Sequence, residues 1–109
     1  MRKGGWGKRR EPGVRNKLEA EYEARLLADP LIEWCAFERF KWKLADNTFW
    51  TPDYLVQTRD GELVIHEVKG GFFPEHNRLK LKIAAEQIPM RVILAQYKNK
   101  ATGWVLTEV

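Results

Sequence analysis

Two runs of β-branched, aromatic and aliphatic residues, Trp50-Thr51-Pro52-Asp53-Tyr54-Leu55-Val56 and Leu63-Val64-Ile65-His66-Glu67-Val68-Lys69-Gly70, flank the pair Asp60-Gly61. Strand-forming runs on either side of Asp-Gly predict a β-hairpin. Its register depends on the loop. A two-residue loop sets Asp53 opposite Val68, whereas the three-residue loop Arg59-Asp60-Gly61, with Gly61 left-handed as a G1 bulge, sets Asp53 opposite Glu67. Only the longer loop gives a coherent apolar face that ends in charge: Leu55, Leu63 and Ile65, then Asp53, Glu67 and Lys69. The other face reads Tyr54, Val56, Val64, His66 and Val68. With an apolar body on both faces, the hairpin is expected inside a sheet covered on both sides.

The flanking segments supply the cover. Val14, Leu18, Tyr22 and Leu26, with Leu27 beside them, recur at helical spacing, which predicts a helix from Val14 to Ala28 stopped by Asp29-Pro30. Leu31 to Lys43 alternates aromatic and charged positions and predicts one strand with a basic rim. A turn at Ala45-Asp46-Asn47 then leads into the strand that holds Phe49 and Trp50. Asn77 is placed to cap a helix from Arg78 to Ile88, with Leu79, Ile83, Ala84, Gln87 and Ile88 near one stripe. Pro89 ends it. Met90 to Ala95, apolar apart from Arg91, is expected as a buried strand, and Trp104 to Val109 as a final edge strand. The fold class expected is a mixed α/β sheet in the order α-β-β-β-α-β, with that edge strand added.

At 109 residues the chain is sized for one domain, expected over 14–109. The net charge of +4 is unevenly spread. Arg2, Lys3, Lys8, Arg9, Arg10, Arg15 and Lys17 face only Glu11 in the first stretch, so the basicity is that of an N-terminal arm, 1–13, made flexible by interleaved Gly and Pro. Such an arm is a footprint of phosphate-backbone contact. A solubilising tail is the plainer alternative. Arg78, Lys80 and Lys82 add a second basic cluster at a helix start, which reads either as a seat for an anionic partner or as solvated surface charge. No apolar run reaches the roughly 20 residues of a membrane span and no signal segment opens the chain. The single Cys35 excludes an internal disulfide and fits a reducing cytoplasm.

Chemistry concentrates at one end of the hairpin. Two carboxylates with cross-strand Cβ atoms about 5 Å apart repel unless a cation lies between them. Magnesium, which takes one or two carboxylates plus water and phosphate, suits Asp53 and Glu67, and Lys69 stands beside the reacting phosphate or water. On the first helix Glu19 is about 60° from Tyr22, close enough to the buried stripe to reach the same site. His66 falls on the opposite face. His76 lies beyond the site, within reach of a phosphate. No P-loop, Gly-x-Gly-x-x-Gly or Ser/His/Asp spacing is present, so no organic cofactor is expected.

Thr51-Pro52-Asp53-Tyr54-Leu55 followed by Glu67-Val68-Lys69-Gly70 resembles the P-D…(D/E)-x-K signature of the restriction-endonuclease-like nuclease superfamily. Order and spacing are closest to phage junction-resolving endonucleases of the endonuclease I type and to related small phage nucleases. The resemblance spans about Val14 to Leu94 and includes Leu18-Glu19, where those families place a helix glutamate. It implies a restriction-endonuclease-like core and magnesium-dependent DNA cleavage, with manganese able to substitute. The acids of the site fall on Asp53 and Glu67, the lysine on Lys69, a metal-binding carbonyl on Val68 and a further carboxylate on Glu19.

It also implies a homodimer in the host-cell cytoplasm acting on branched DNA, such as a Holliday junction. The aromatic surplus between Trp34 and Trp50 either packs under the helices or in part forms the dimer face. Nonspecific or single-strand nicking activity is the alternative within enzymes, RNA is not excluded by any residue, and a non-catalytic DNA-binding subunit is the alternative outside them.

Overall fold

The computed structural model describes residues 13–109. The chain runs α1 (Lys17–Ala28), β1 (Ile32–Phe37), β2 (Trp42–Ala45), β3 (Thr48–Trp50), β4 (Tyr54–Thr58), β5 (Leu63–Lys69), α2 (Glu75–Gln87), β6 (Arg91–Asn99) and β7 (Gly103–Glu108). The hairpin forms in the three-residue register. Thr58 N–H donates to Glu62 O and Gly61 N–H to Thr58 O, both at 2.9 Å, and Gly61 takes φ +95°. Tyr54 then faces His66 and Val56 faces Val64. One further step of that register sets Asp53 opposite Glu67.

β1, β4, β5, β6 and β7 make one sheet in that order, so the hairpin lies inside it and β7 is an edge. β4 runs antiparallel to β1 and β5, and only β5 and β6 are parallel, joined by the α2 crossover that parallel pairing requires. One sheet face packs Tyr54, Val56, Val68 and Ala95 under Tyr22 and Leu26 of α1. The other packs Ile65, Val92 and Leu94 under Leu81 and Ala84 of α2 and Ile88 just after it. Fully buried side chains such as Ile65 and Val92 each stabilise by about 2 kcal/mol through removal from water.

Two expected strands are interrupted. Leu31 to Lys43 is not one strand: β1 ends at Phe37, Glu38 takes φ +46°, and its N–H donates to Asp53 O at 2.9 Å. The chain resumes as β2, which turns through Asn47 (φ +57°) into β3 to form a separate two-stranded sheet with Trp42 opposite Trp50. The strand holding Phe49 and Trp50 likewise stops before Asp53, because Pro52 has no N–H for a ladder. The expected order α-β-β-β-α-β with a final edge strand is thereby corrected before α2, to α-β-β-β-β-β-α-β-β, with β7 as the expected edge strand.

The helix ends also shift. Asn16 Oδ1 accepts the Glu19 N–H at 2.7 Å and Glu19 Oε1 accepts the Asn16 N–H at 3.0 Å. This capping box starts α1 at Lys17 and leaves Val14 outside it; Leu27 is exposed. α2 starts at Glu75 after Pro74, so Asn77 lies inside the helix, and the buried stripe is Leu81, Ala84 and Ile88 while Leu79 and Ile83 face outward. No helix among the described residues is long and apolar enough to cross a membrane.

Candidate functional site

Pro52 releases the chain from the ladder at the residue before Asp53, and the freed backbone is taken up by the neighbouring strand. Asp53 N–H donates to Glu67 Oε1 at 3.0 Å, and Val68 N–H donates to Asp53 Oδ2 at 2.8 Å. Each carboxylate is thus oriented by a backbone N–H of the other's strand. Glu67 Oε2 receives a long 3.4 Å hydrogen bond from the Trp50 indole N–H and lies 3.8 Å from the Lys69 ammonium. Asp53 Oδ1 accepts no hydrogen bond among the described residues.

Both acids are only 7% exposed. Burial, with the Glu67 charge next in size, pushes the Asp53 carboxyl up to about 7, against the opposing pull of the Val68 N–H and Lys69. Burial raises Glu67 as well, against Lys69 and the hydrogen bonds from Asp53 and Trp50. The two share a proton load as one unit. A hard divalent cation fits this donor set: two carboxylates side by side, their inner oxygens fixed by backbone and Asp53 Oδ1 unclaimed. Among the described residues no three of His, Cys, Asp or Glu converge as a ligand set, so the acids side by side are two.

Glu19 sits on α1, 3% exposed, with Oε1 engaged by the Asn16 N–H. It lines a cavity of about 400 Å³ together with Asp53, Val68, Lys69 and Gly70. Val68 lies in the β5–β6 ladder opposite Ala95. A second cavity, of about 160 Å³, opens on the α2 side between Glu67, Lys69 and Lys80. Lys69 lines both, and its ammonium lies 5.7 Å from the Phe73 ring on the wall of the smaller one.

The basic residues divide. Arg2, Lys3, Lys8, Arg9 and Arg10 lie outside the described residues. Arg15 is paired with Glu23 and lies 4.8 Å over the Phe37 ring, which makes it a tie between the segment before α1 and the sheet. Lys17 is exposed at the start of α1. Arg78 is 5.0 Å over the Phe73 ring, Lys80 lines the smaller cavity, and Lys82 is exposed.

The histidines stand apart from the acids. His66 Nδ1 is 2.6 Å from Tyr22 Oη on the α1 face, and burial lowers its pKa to about 4, so it is neutral there. His76 borders a groove with Leu44, Leu79 and Ile83.

Three positioning residues were not singled out by sequence. Trp50 reaches Glu67, Glu38 N–H holds the Asp53 carbonyl, and Gln96 Nε2 donates to Gly70 O at 3.3 Å and Gly71 O at 3.1 Å. Gln96 carried a signal: it is the first polar residue after the apolar run Val92 to Ala95. No family model matches the chain, and no curated protein or solved structure matches it.

Proposed function

We propose that the protein is a divalent-metal-dependent endonuclease of restriction-endonuclease-like core that hydrolyses DNA phosphodiesters, with branched DNA as preferred substrate. One observation carries the reading: Asp53 and Glu67 are buried side by side, each aimed by the other's strand, with Lys69 beside them. Two mutually repelling carboxylates in a covered site cost free energy, and a site without chemistry has no use for that cost. A bound magnesium ion would supply an activated water and shield the charge that builds on phosphorus.

The chain's own residues do the rest. Asp53 and Glu67 would hold the ion. Val68 N–H fixes Asp53 Oδ2 and leaves Oδ1 without a hydrogen bond among the described residues, and Trp50 with Lys69 orients Glu67 Oε2. Lys69, which lines both cavities, binds a phosphate oxygen or orients the attacking water through its ammonium. Glu19, on the wall of the larger cavity, orients water entering it.

Purified protein is incubated with a four-way junction, linear duplex, single-stranded DNA and RNA, in magnesium or in EDTA, beside Glu67→Gln. Magnesium-dependent cutting of the junction in preference to the others, absent in the variant, is the expected result. Equal cutting of all DNA forms removes the branch preference, and binding without cutting under any metal moves the reading to a DNA-binding subunit.

A further inference from the structure

Beside the carboxylates, the smaller cavity lies between the end of β5 and the first turns of α2. Trp50, Glu67, Lys69, Phe73, Asn77 and Lys80 wall it, with Leu81 at its base. Its volume of about 160 Å³ admits a small polar group. Lys69 lies 3.8 Å from Glu67, so those two charges offset each other and Lys80 is the unbalanced one. Among the described residues Lys80 makes no ion pair and the Asn77 side chain no hydrogen bond. Asn77 and Lys80 are three residues apart, which puts an amide and an ammonium on one helix face, over one cavity. Arg78 is held nearby over the Phe73 ring at 5.0 Å, with the Lys69 ammonium 5.7 Å from the same ring. Lys82, two residues beyond Lys80, is turned about 200° away around the helix.

We infer that this cavity seats a second backbone phosphate of the nucleic-acid strand, next to the one that reacts. Lys80 binds its charge, the Asn77 amide donates to an oxygen, and Arg78 raises the local positive potential. A strand held at two successive phosphates is fixed in direction across Lys69, which is the side chain common to both cavities. The adjacency to a reacting phosphate rests on the nuclease reading above; the binding of a phosphate does not.

The test therefore reads binding. The full chain is titrated with a labelled duplex and a labelled single strand in EDTA, over a salt series, for wild type, Lys80→Ala, Lys80→Arg, Asn77→Ala and Lys82→Ala. Neutralising one phosphate fewer lowers the slope of log affinity against log salt by about 0.9 for duplex or about 0.7 for a single strand. Lys80→Ala is expected to show that drop with a several-fold weaker Kd, Lys80→Arg to recover it, and Asn77→Ala to weaken Kd at unchanged slope. Lys82→Ala is expected to match wild type. An unchanged slope in Lys80→Ala, or an equal loss in Lys82→Ala, overturns the inference. Absence of magnesium-dependent cutting in the earlier experiment overturns the nuclease reading alone, since no cleavage is read here.

Discussion

Asp53 and Glu67 are held by each other's strands: the Asp53 N–H donates to Glu67 Oε1 at 3.0 Å while Asp53 Oδ2 takes the Val68 N–H at 2.8 Å. The relationship has an energetic sign. Without a cation, two buried acids oppose folding, and the backbone bonds keep them in place regardless.

Asp53→Asn removes the charge and keeps, in Oδ1, an acceptor for the Val68 N–H. The metal-free variant is expected to be more stable than wild type at pH 8, by on the order of 2 kcal/mol. Urea unfolding in EDTA measures it.

The pH dependence of that difference follows from the same acid. The folded Asp53 carboxyl lies near 7, above its ordinary 3.8, so between those values the native state holds a proton the unfolded chain has lost. The stability Asp53 contributes is therefore full below about pH 4 and is lost as pH rises through about 7. Wild type and Asp53→Asn should agree at pH 4 and below, differ modestly at pH 5 and differ most by pH 8. Magnesium, which needs the ionised form, should raise the wild-type melting temperature far more at pH 8 than at pH 5. Thermal melts at these pH values, with magnesium or EDTA, check both statements.

Tyr22→Phe takes the hydroxyl from buried His66, whose Nδ1 is 2.6 Å from it. An unsatisfied buried ring nitrogen costs about 1–3 kcal/mol. Neither Tyr22 nor His66 lines either cavity at the site, so stability should fall in urea unfolding while the cleavage rate stays at the wild-type value.

Asn16→Ala breaks one half of the capping box that holds Glu19. The loss expected is about 1 kcal/mol of stability. A several-fold drop in cleavage rate at saturating DNA should accompany it, because Glu19 is left less firmly placed beside the larger cavity. Kinetics beside urea unfolding separate the two effects.

How much was legible in the sequence depends on how local the cause was. The hairpin register is written in Arg59-Asp60-Gly61, because the turn needs a left-handed residue and Gly61, at φ +95°, supplies it. With that register came Asp53 opposite Glu67. The break in Leu31 to Lys43 was not legible: its pivot is Glu38, neither Gly nor Pro, held at positive φ with its N–H bonded to the distant Asp53 carbonyl. The α1 start was written in Asn16-x-x-Glu19, yet apolar spacing placed it at Val14. In α2 the sequence pattern placed Ala84 and Ile88 on the covered stripe but added Leu79 and Ile83 and passed over Leu81, because only the position of the sheet decides which stripe is covered. The separate sheet of β2 and β3 depends on tertiary packing that periodicity does not carry.

The most direct measurement of the central claim is single-turnover cleavage of DNA by wild type and Asp53→Asn in magnesium, with DNA binding by both measured in EDTA. A metal held by Asp53 and Glu67 predicts a cutting rate lower by roughly a thousandfold or more in the variant, with DNA binding equal to or tighter than that of wild type. Cutting by Asp53→Asn at the wild-type rate would contradict the assignment of these two acids as the metal site.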